Sequence, residues 1–331
     1  MQPSPEIRLA LPSKGRLAED ALELLAHAGL RVHKPNPRQL IATIPALPHV
    51  SVLFQRASDI VVSVRDGSVD FGITGGDVVA EKRGFNGDVL TLLDDLGFGH
   101  CALHVIVPEA WDHVATMRDL TETARGRRLR IATKFPNLTT RFLEAHHIPD
   151  AILIPAEGTL EVAPTIGYAD LIVDLVSSGT TIRDNRLKTL ADGLIFDSRA
   201  WLIANHTALQ TRPEALQTAR TLIETITAHQ RANENVLVIA NMRGTTPEAV
   251  AQKIFTQTVI GGLQGPTIAP VFTRAPEKWF SVSIVVRKTQ LTQAITELRT
   301  IGGSGVIVTP VTYIFEEEPE AYRRMLMALE K

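Results

Sequence analysis

Apolar positions along the chain switch between a period of two and a period near 3.6, and the switches recur as strand, loop, helix. Residues 7–11 read as a strand. Pro12-Ser13-Lys14-Gly15-Arg16 reads as a turn. Leu17, Ala21, Leu24, Leu25 and Ala28 then recur at helical spacing, and Gly29 suits the position after a helix end. Residues 38–54 alternate as two short strands, and Arg56-Ala57-Ser58-Asp59 opens a helix that runs to about residue 66. Residues 69–73 form a strand emptying into Thr74-Gly75-Gly76-Asp77, with another helix from Val78.

The same unit recurs further on. Residues 100–107 predict a long strand crossing between lobes. Residues 129–133 form a strand followed by Lys134-Phe135-Pro136-Asn137-Leu138-Thr139, in which Asn137 or Thr139 could cap a helix. Residues 151–155 form a strand, and a short helix with Glu161 in its first turn follows Gly158. Residues 170–176 form the strand that ends in Ser177-Ser178-Gly179-Thr180-Thr181. Residues 186–190 and 200–204 predict two strands returning the chain to the first lobe. A long helix begins at Arg212-Pro213, with Ala215, Ala219, Leu222, Ile223 and Ile226 on its apolar face.

From residue 235 the order becomes strand, helix, strand, strand, helix, strand, with the last strand expected over 306–315. This is the ferredoxin-like split βαβ. The sequence therefore predicts an α/β protein with a catalytic part over 1–232. Its lobe I would span about 1–100 plus 186–232, and its lobe II about 101–185. A small domain follows over 233–316, then a tail helix over 317–331.

Composition narrows the function classes. The 331 residues carry a net charge of −2, so no global basic field points to nucleic acid. Cys101 is the only cysteine, which excludes a disulfide within the chain and suits a reducing compartment. No apolar run approaches the ~18 residues of a membrane span. Residues 1–6 have no signal-peptide pattern, so the expected location is the cytoplasm, without membrane contact. His146 and His147 are adjacent and would diverge on a helix, so no protein metal-ligand cluster is expected.

Candidate chemistry gathers at strand ends, where ligands of open α/β sheets bind. Residues 177–181 place four hydroxyls around one glycine, with backbone N–H groups free of bulky neighbours, a pattern suited to phosphate. An N-capped helix start is the bland alternative. Asp174, inside the preceding strand, could meet sugar hydroxyls or magnesium. Lys14 and Arg16 put cations at a helix start that already favours anions, as does Lys134 beyond another strand. Solvated loop charges are the alternative there. GxxxxGK[ST] is absent, which excludes a P-loop by motif.

In joint order, five segments resemble the ATP phosphoribosyltransferase family of histidine biosynthesis, in its long form. They are residues 10–17, 70–75, 96–99, 132–139 and 174–181, joined in the last domain by Gly262-Leu263-Gln264-Gly265-Pro266-Thr267-Ile268-Ala269-Pro270. The resemblance implies a two-lobed catalytic part like a type II periplasmic binding protein, then a regulatory ACT-like domain binding histidine as inhibitor. It implies transfer of phosphoribose from 5-phosphoribosyl 1-pyrophosphate to adenine N1 of ATP, with Mg2+. On this resemblance Asp174, Ser177, Ser178, Gly179, Thr180 and Thr181 hold the phosphoribosyl donor. Lys14, Arg16 and Arg56 face phosphates and act with Asp174 in catalysis. Gly15, Arg16, Gly75, Gly76 and Asp77 border ATP, Lys134 and Glu161 are further candidates, and Asn241, Thr267 and Ala269 meet histidine. Gly76 and Gln264-Gly265 depart from the family's usual residues. The resemblance also implies a homo-oligomer, dimer or hexamer. The alternative is a two-lobed small-anion-binding or sensing protein without catalysis.

Overall fold

Strand β1 (Ile7–Pro12) buries five of its six residues, as a parallel strand does when helices cover both faces. The computed structural model describes residues 6–36, 39–84, 86–156, 158, 160–177, 179–274 and 276–330. Helix α1 (Arg16–His27) follows β1 and buries Ala18, Ala21, Leu24 and Leu25, the face its spacing predicts. Strands β2 (Ile41–Ile44) and β3 (Leu47–Gln55), helix α2 (Ala57–Arg65), strand β4 (Phe71–Gly75), helix α3 (Gly76–Lys82) and strand β5 (Val89–Leu93) continue the first lobe. β1 lies between β3 and β4, parallel to both.

The second lobe repeats the plan. It comprises β6 (Cys101–Pro108), α4 (Met117–Ala124), β7 (Arg130–Thr133), α5 (Pro136–Ala145), β8 (Ile152–Pro155), β9 (Leu171–Val176), α6 (Thr180–Asp184) and β10 (Leu187–Ser198). β7 lies between β8 and β9, parallel to both, as β1 does in the first lobe. β11 (Ala200–Asn205) then returns to the first sheet, antiparallel to β4 and β5. The sheet orders are β2-β3-β1-β4-β11-β5 and β10-β6-β9-β7-β8. This is the two-lobed, periplasmic-binding-protein-like arrangement, with the chain crossing between lobes before β6 and after β10.

One boundary differs from the sequence reading. The strand expected at 186–190 as part of the return belongs to β10, which stays in the second sheet paired antiparallel with β6. Its register shifts between Thr189 and Leu194 and again before Phe196. Such irregularities break the alternation by which one long strand would be recognised. The return begins only at Ala200.

Each lobe fixes its central strand with the same device. Asp70, just before β4, accepts a hydrogen bond from the backbone N–H of Arg8 in β1 (2.8 Å) and donates its own N–H to the Arg8 carbonyl (3.0 Å). Asp170, just before β9, does the same with Arg130 in β7 (2.7 and 2.8 Å). The Asp70 carboxylate is 4% exposed and also takes the Arg212 guanidinium at 2.6 Å.

After α7 (His206–Thr211) comes α8 (Pro213–Asn233), with Ala215, Ala219, Leu222, Ile223 and Ile226 wholly buried. The chain separates into two compact units, residues 1–223 with 320–331, and residues 224–319. In the second, β12 (Asn235–Arg243), α9 (Pro247–Phe255), β13 (Thr267–Val271), β14 (Trp279–Arg287), α10 (Leu291–Thr300) and β15 (Gly303–Pro310) give the expected βαββαβ order. Its sheet, β13-β14-β12-β15, is antiparallel throughout and packs Val238, Ala240, Met242, Val282 and Ile284 against Val250, Ile254, Ala294 and Leu298. The last strand ends at Pro310, short of the expected residue 315. Pro310 pairs with Val236, near the start of β12, so the ladder has little strand left to follow. The tail helix α11 (Glu320–Leu329) groups with the first unit, where Tyr322 lies under the Arg220 guanidinium.

The two aspartates differ in exposure and therefore in cost. Asp70→Ala strands a buried backbone donor and a guanidinium, and is expected to lower stability by about 3–5 kcal/mol. Asp170→Ala, at a more open position, should cost only about 1–2 kcal/mol. Urea unfolding of both variants checks the order.

Candidate active site

The first lobe opens a cleft of about 520 Å³ at the carboxyl ends of β1 and β3, lined by residues 12–17, 55–58 and Val78. Lys14, Arg16 and Arg56 all line it and all are exposed, so the structure gathers these three predicted cations into one hollow. Gly15 stands before α1 at φ 78°, a left-handed backbone suited to glycine, and no side chain caps the helix. The start of α1 borders the cleft, and the acid in its first turn is Glu19. Arg16 makes a 3.6 Å contact with Asp20, but its side chain is 92% exposed, so that pair contributes little. Gln55 lines the same cleft, and its Oε1 is buried without a hydrogen-bond partner. Sequence reasoning passed over Gln55, although its place at a strand end beside Arg56 was visible.

The second lobe carries the hydroxyl loop. Ser177, Thr180 and Thr181 are exposed, and Gly179 turns the chain at φ 70° before α6. Ser178 lies outside the described residues. Asp174, on β9 just before the loop, has its carboxyl pushed above the usual range by burial. The Leu175 N–H and the Lys134 ammonium pull it back down, and the Glu161 carboxylate pushes it up. Lys134 and Glu161 thus both act on the charge of Asp174, which brings the two further candidates to the residues predicted to hold the phosphoribosyl donor. His104 is the cross-strand neighbour of Asp174 on β6. Burial lowers its pKa, and its Nδ1 has no partner.

Gly75, Gly76 and Asp77 are placed differently. All three are buried, and of this loop Val78 is the residue that lines the cleft. Asp77 accepts a hydrogen bond from the Ser198 hydroxyl (2.6 Å), and its own N–H donates to the same oxygen (3.0 Å). Burial raises the Asp77 carboxyl above its ordinary value. Gly76 lies against the Trp201 indole, where a Cβ would come within 2.5 Å of the ring. Trp201 fills the volume a side chain at residue 76 would need.

In the second unit Ala269, Ser281 and Asn241 stand side by side across β13, β14 and β12, and Thr267 lies two residues along β13. Asn241, Thr267 and Ala269 therefore share the sheet face opposite the one packed on α9 and α10.

A family model described as HisG: ATP phosphoribosyltransferase matches residues 56–228, and one described as HisG, C-terminal domain matches residues 232–313. ATP phosphoribosyltransferase 2, chloroplastic, of Arabidopsis thaliana is 42% identical over 333 residues, covering 98% of this chain and 81% of that one. ATP phosphoribosyltransferase of Rhodopseudomonas palustris (strain HaA2) is 33% identical over 324 residues, 96% of each chain. Among solved structures, a chain of the ATP phosphoribosyl transferase (HisG:HisZ) complex from Thermotoga maritima superposes with a TM-score of 0.53 at 26% identity, over 67% of this chain and 98% of that one. With matches over both units and relatives above 30% identity along nearly its whole length, the chain belongs to the ATP phosphoribosyltransferase family in its long form.

Proposed function

We propose that the two-lobed unit transfers phosphoribose from 5-phosphoribosyl 1-pyrophosphate to N1 of the adenine of ATP, the first step of histidine biosynthesis. The observation that carries this reading is the pairing, in one unit, of a cation-lined cleft with a hydroxyl loop preceded by a half-buried acid. Adenine N1 attacks ribose C1, the bond from C1 to pyrophosphate breaks, and the electron pair leaves with the pyrophosphate oxygen. No protein nucleophile is required. The chain's task is to hold two polyanions in line, and positioning of this kind is worth about 7–11 kcal/mol in well-oriented systems.

Ser177, Gly179, Thr180 and Thr181 bind the 5-phosphate through hydroxyl and backbone N–H groups. Asp174 accepts from the ribose hydroxyls. Lys14, Arg16 and Arg56 neutralise the triphosphate and the departing pyrophosphate. Gln55, with an unpaired carbonyl at the cleft, adds a neutral contact for the nucleotide.

Among the described residues no group of three or more His, Cys, Asp or Glu side chains forms a metal cage. Magnesium suits such a place, since it binds through one or two carboxylates and substrate phosphates. Asp174 and Glu161, whose charge raises the proton affinity of Asp174, are the carboxylates that would hold it. When bound it supplies charge neutralisation to the pyrophosphate.

Histidine as inhibitor is part of the same reading, supported by the shared sheet face of Asn241, Thr267 and Ala269. So are the homo-oligomer, as dimer or hexamer, and the cytoplasmic location. Among the described residues no helix is long and apolar enough to cross a membrane.

Arg16→Ala is expected to lower kcat/KM on the order of 10²-fold, the loss typical of one removed charge-stabilising donor. Thr180→Ala should cost about 5–10-fold, as for one neutral hydrogen bond. Product absorbance with ATP, phosphoribosyl pyrophosphate and magnesium reads both, and near-normal turnover in the two variants would overturn the assignment.

Asp174 gives a pH test. Its folded pKa is raised, so the ionised carboxylate costs stability once pH rises through that value. Asp174→Asn should therefore melt at an equal or higher temperature than the parent at pH 7.5 while losing most of its activity. The parent should gain on the variant in stability as the pH falls through the carboxyl's titration. The acid limb of the parent's kcat/KM should lie above the ordinary carboxylate value of about 3.9.

Calorimetry on the full chain should show heat on histidine addition, with inhibition of turnover. Neither heat nor inhibition at millimolar histidine would remove the regulatory part of the reading.

A further inference from the structure

Helices α1 and α5 hold equivalent places, each following the central strand of its lobe's parallel trio. Their N-termini differ. Gly15 has no side chain to cap α1, and among the described residues the N–H groups of the helix's first turn meet the Gly15 carbonyl alone. In the second lobe the carboxylate of Glu81, carried by α3 of the first lobe, takes two backbone N–H groups in the first turn of α5. Asn137 N donates to Oε1 and Leu138 N to Oε2, both at 2.9 Å. Glu81 is 7% exposed, and its backbone carbonyl accepts a further hydrogen bond from Asn137 Nδ2 at 3.2 Å. Arg141 of α5 reaches the Ala80 carbonyl at 3.4 Å.

The other end of α3 is tied as well. Asp77, in its first turn, exchanges hydrogen bonds with Ser198, the last residue of β10. α3 is thus held to β10 of the second sheet by one carboxylate and to α5 by another. The turn that Glu81 grips begins two residues after Lys134, whose charge acts on Asp174.

From this arrangement we infer that Glu81 is a positioning residue. It fills the anion-binding end of α5 with an internal carboxylate and so fixes the Lys134–Asp174 group of the second lobe relative to the cationic cleft of the first. Two consequences follow from the chemistry. The α5 terminus is closed to substrate phosphate, which leaves the α1 terminus and the 177–181 loop to take the anions. Between the lobes Glu81 adds a two-point contact of fixed geometry to the apolar packing of Ala80 on the second lobe's core, a packing that by itself is non-directional and would let the lobes slide.

The kinetic part of this inference rests on the proposed transferase reading, and the test separates the two. Spin labels are placed on exposed positions of α1 and α5 through Glu23→Cys and Glu144→Cys in a Cys101→Ser background, diluted with unlabelled protein. Pulsed dipolar spectroscopy then measures the distance between lobes. The parent should give one narrow distribution. Glu81→Ala should broaden it, and kcat/KM should fall by about 10–100-fold, as expected when a reacting centre is displaced by about 1 Å. Glu81→Gln keeps one acceptor and turns a donor towards the second N–H, so it should fall between the two. If Glu81→Ala does not fold, the glutamine variant is judged by the same criteria. An unchanged distance distribution, or a broadened one with full activity, overturns the inference. A parent without transferase activity would sink the functional reading, while the distance measurement would still judge the contact itself.

Discussion

A carboxylate removed from water must be given hydrogen-bond donors, and in this protein those donors are mostly backbone N–H groups at the points where loops must not move. Asp70 and Asp170 lock the central strand of each lobe to its neighbour. Asp77 and Glu81 tie α3 to β10 and to α5, both in the second lobe. Each contact is directional, so each fixes an orientation as well as a distance. Apolar packing fills the two lobes, but it is non-directional and would tolerate small rotations of one lobe against the other.

The polar groups that meet substrate in the proposed reaction have the opposite character. Lys14, Arg16, Arg56, Ser177, Thr180 and Thr181 are exposed. Exposed cations on long side chains can adjust to a polyanion as it arrives, at the cost of side-chain entropy. Asp174 stands between the two classes: it is half-buried, and burial opposes its charge while Lys134 favours it. A group so balanced changes its proton affinity when a magnesium ion or a sugar hydroxyl comes near, which couples its charge to occupancy of the site.

Most of the fold was legible because its signals are local. The run at residues 7–11, the apolar face of α8 and the βαββαβ order of the second unit follow from periodicity within one element. The loops at 12–16 and 177–181 were legible because glycine and hydroxyl residues cluster there. What stayed hidden depends on partners distant in sequence. Glu81 reads as an ordinary charge near a helix end until α5 is brought to it. The bond between Asp77 and Ser198 joins residues 121 apart in the sequence. The need for a residue without a side chain at 76 shows only once Trp201 is placed against it. β10 was split because register shifts between Thr189 and Phe196 interrupt its alternation.

A cluster of lysine and arginine does not tell one polyphosphate from another; it attracts all of them in proportion to charge. A hydroxyl loop likewise accepts any phosphate ester. Selectivity for one pair of substrates must then come from the distance and angle between the two half-sites, because only a pair of matching length and shape can satisfy both. That places the burden of specificity on the groups that set the interlobe geometry, none of which touches a substrate. In the proposed reaction this is also why a buried glutamate caps one helix and not its equivalent in the other lobe: one terminus would take a ligand, and the other holds the frame against which that ligand is measured.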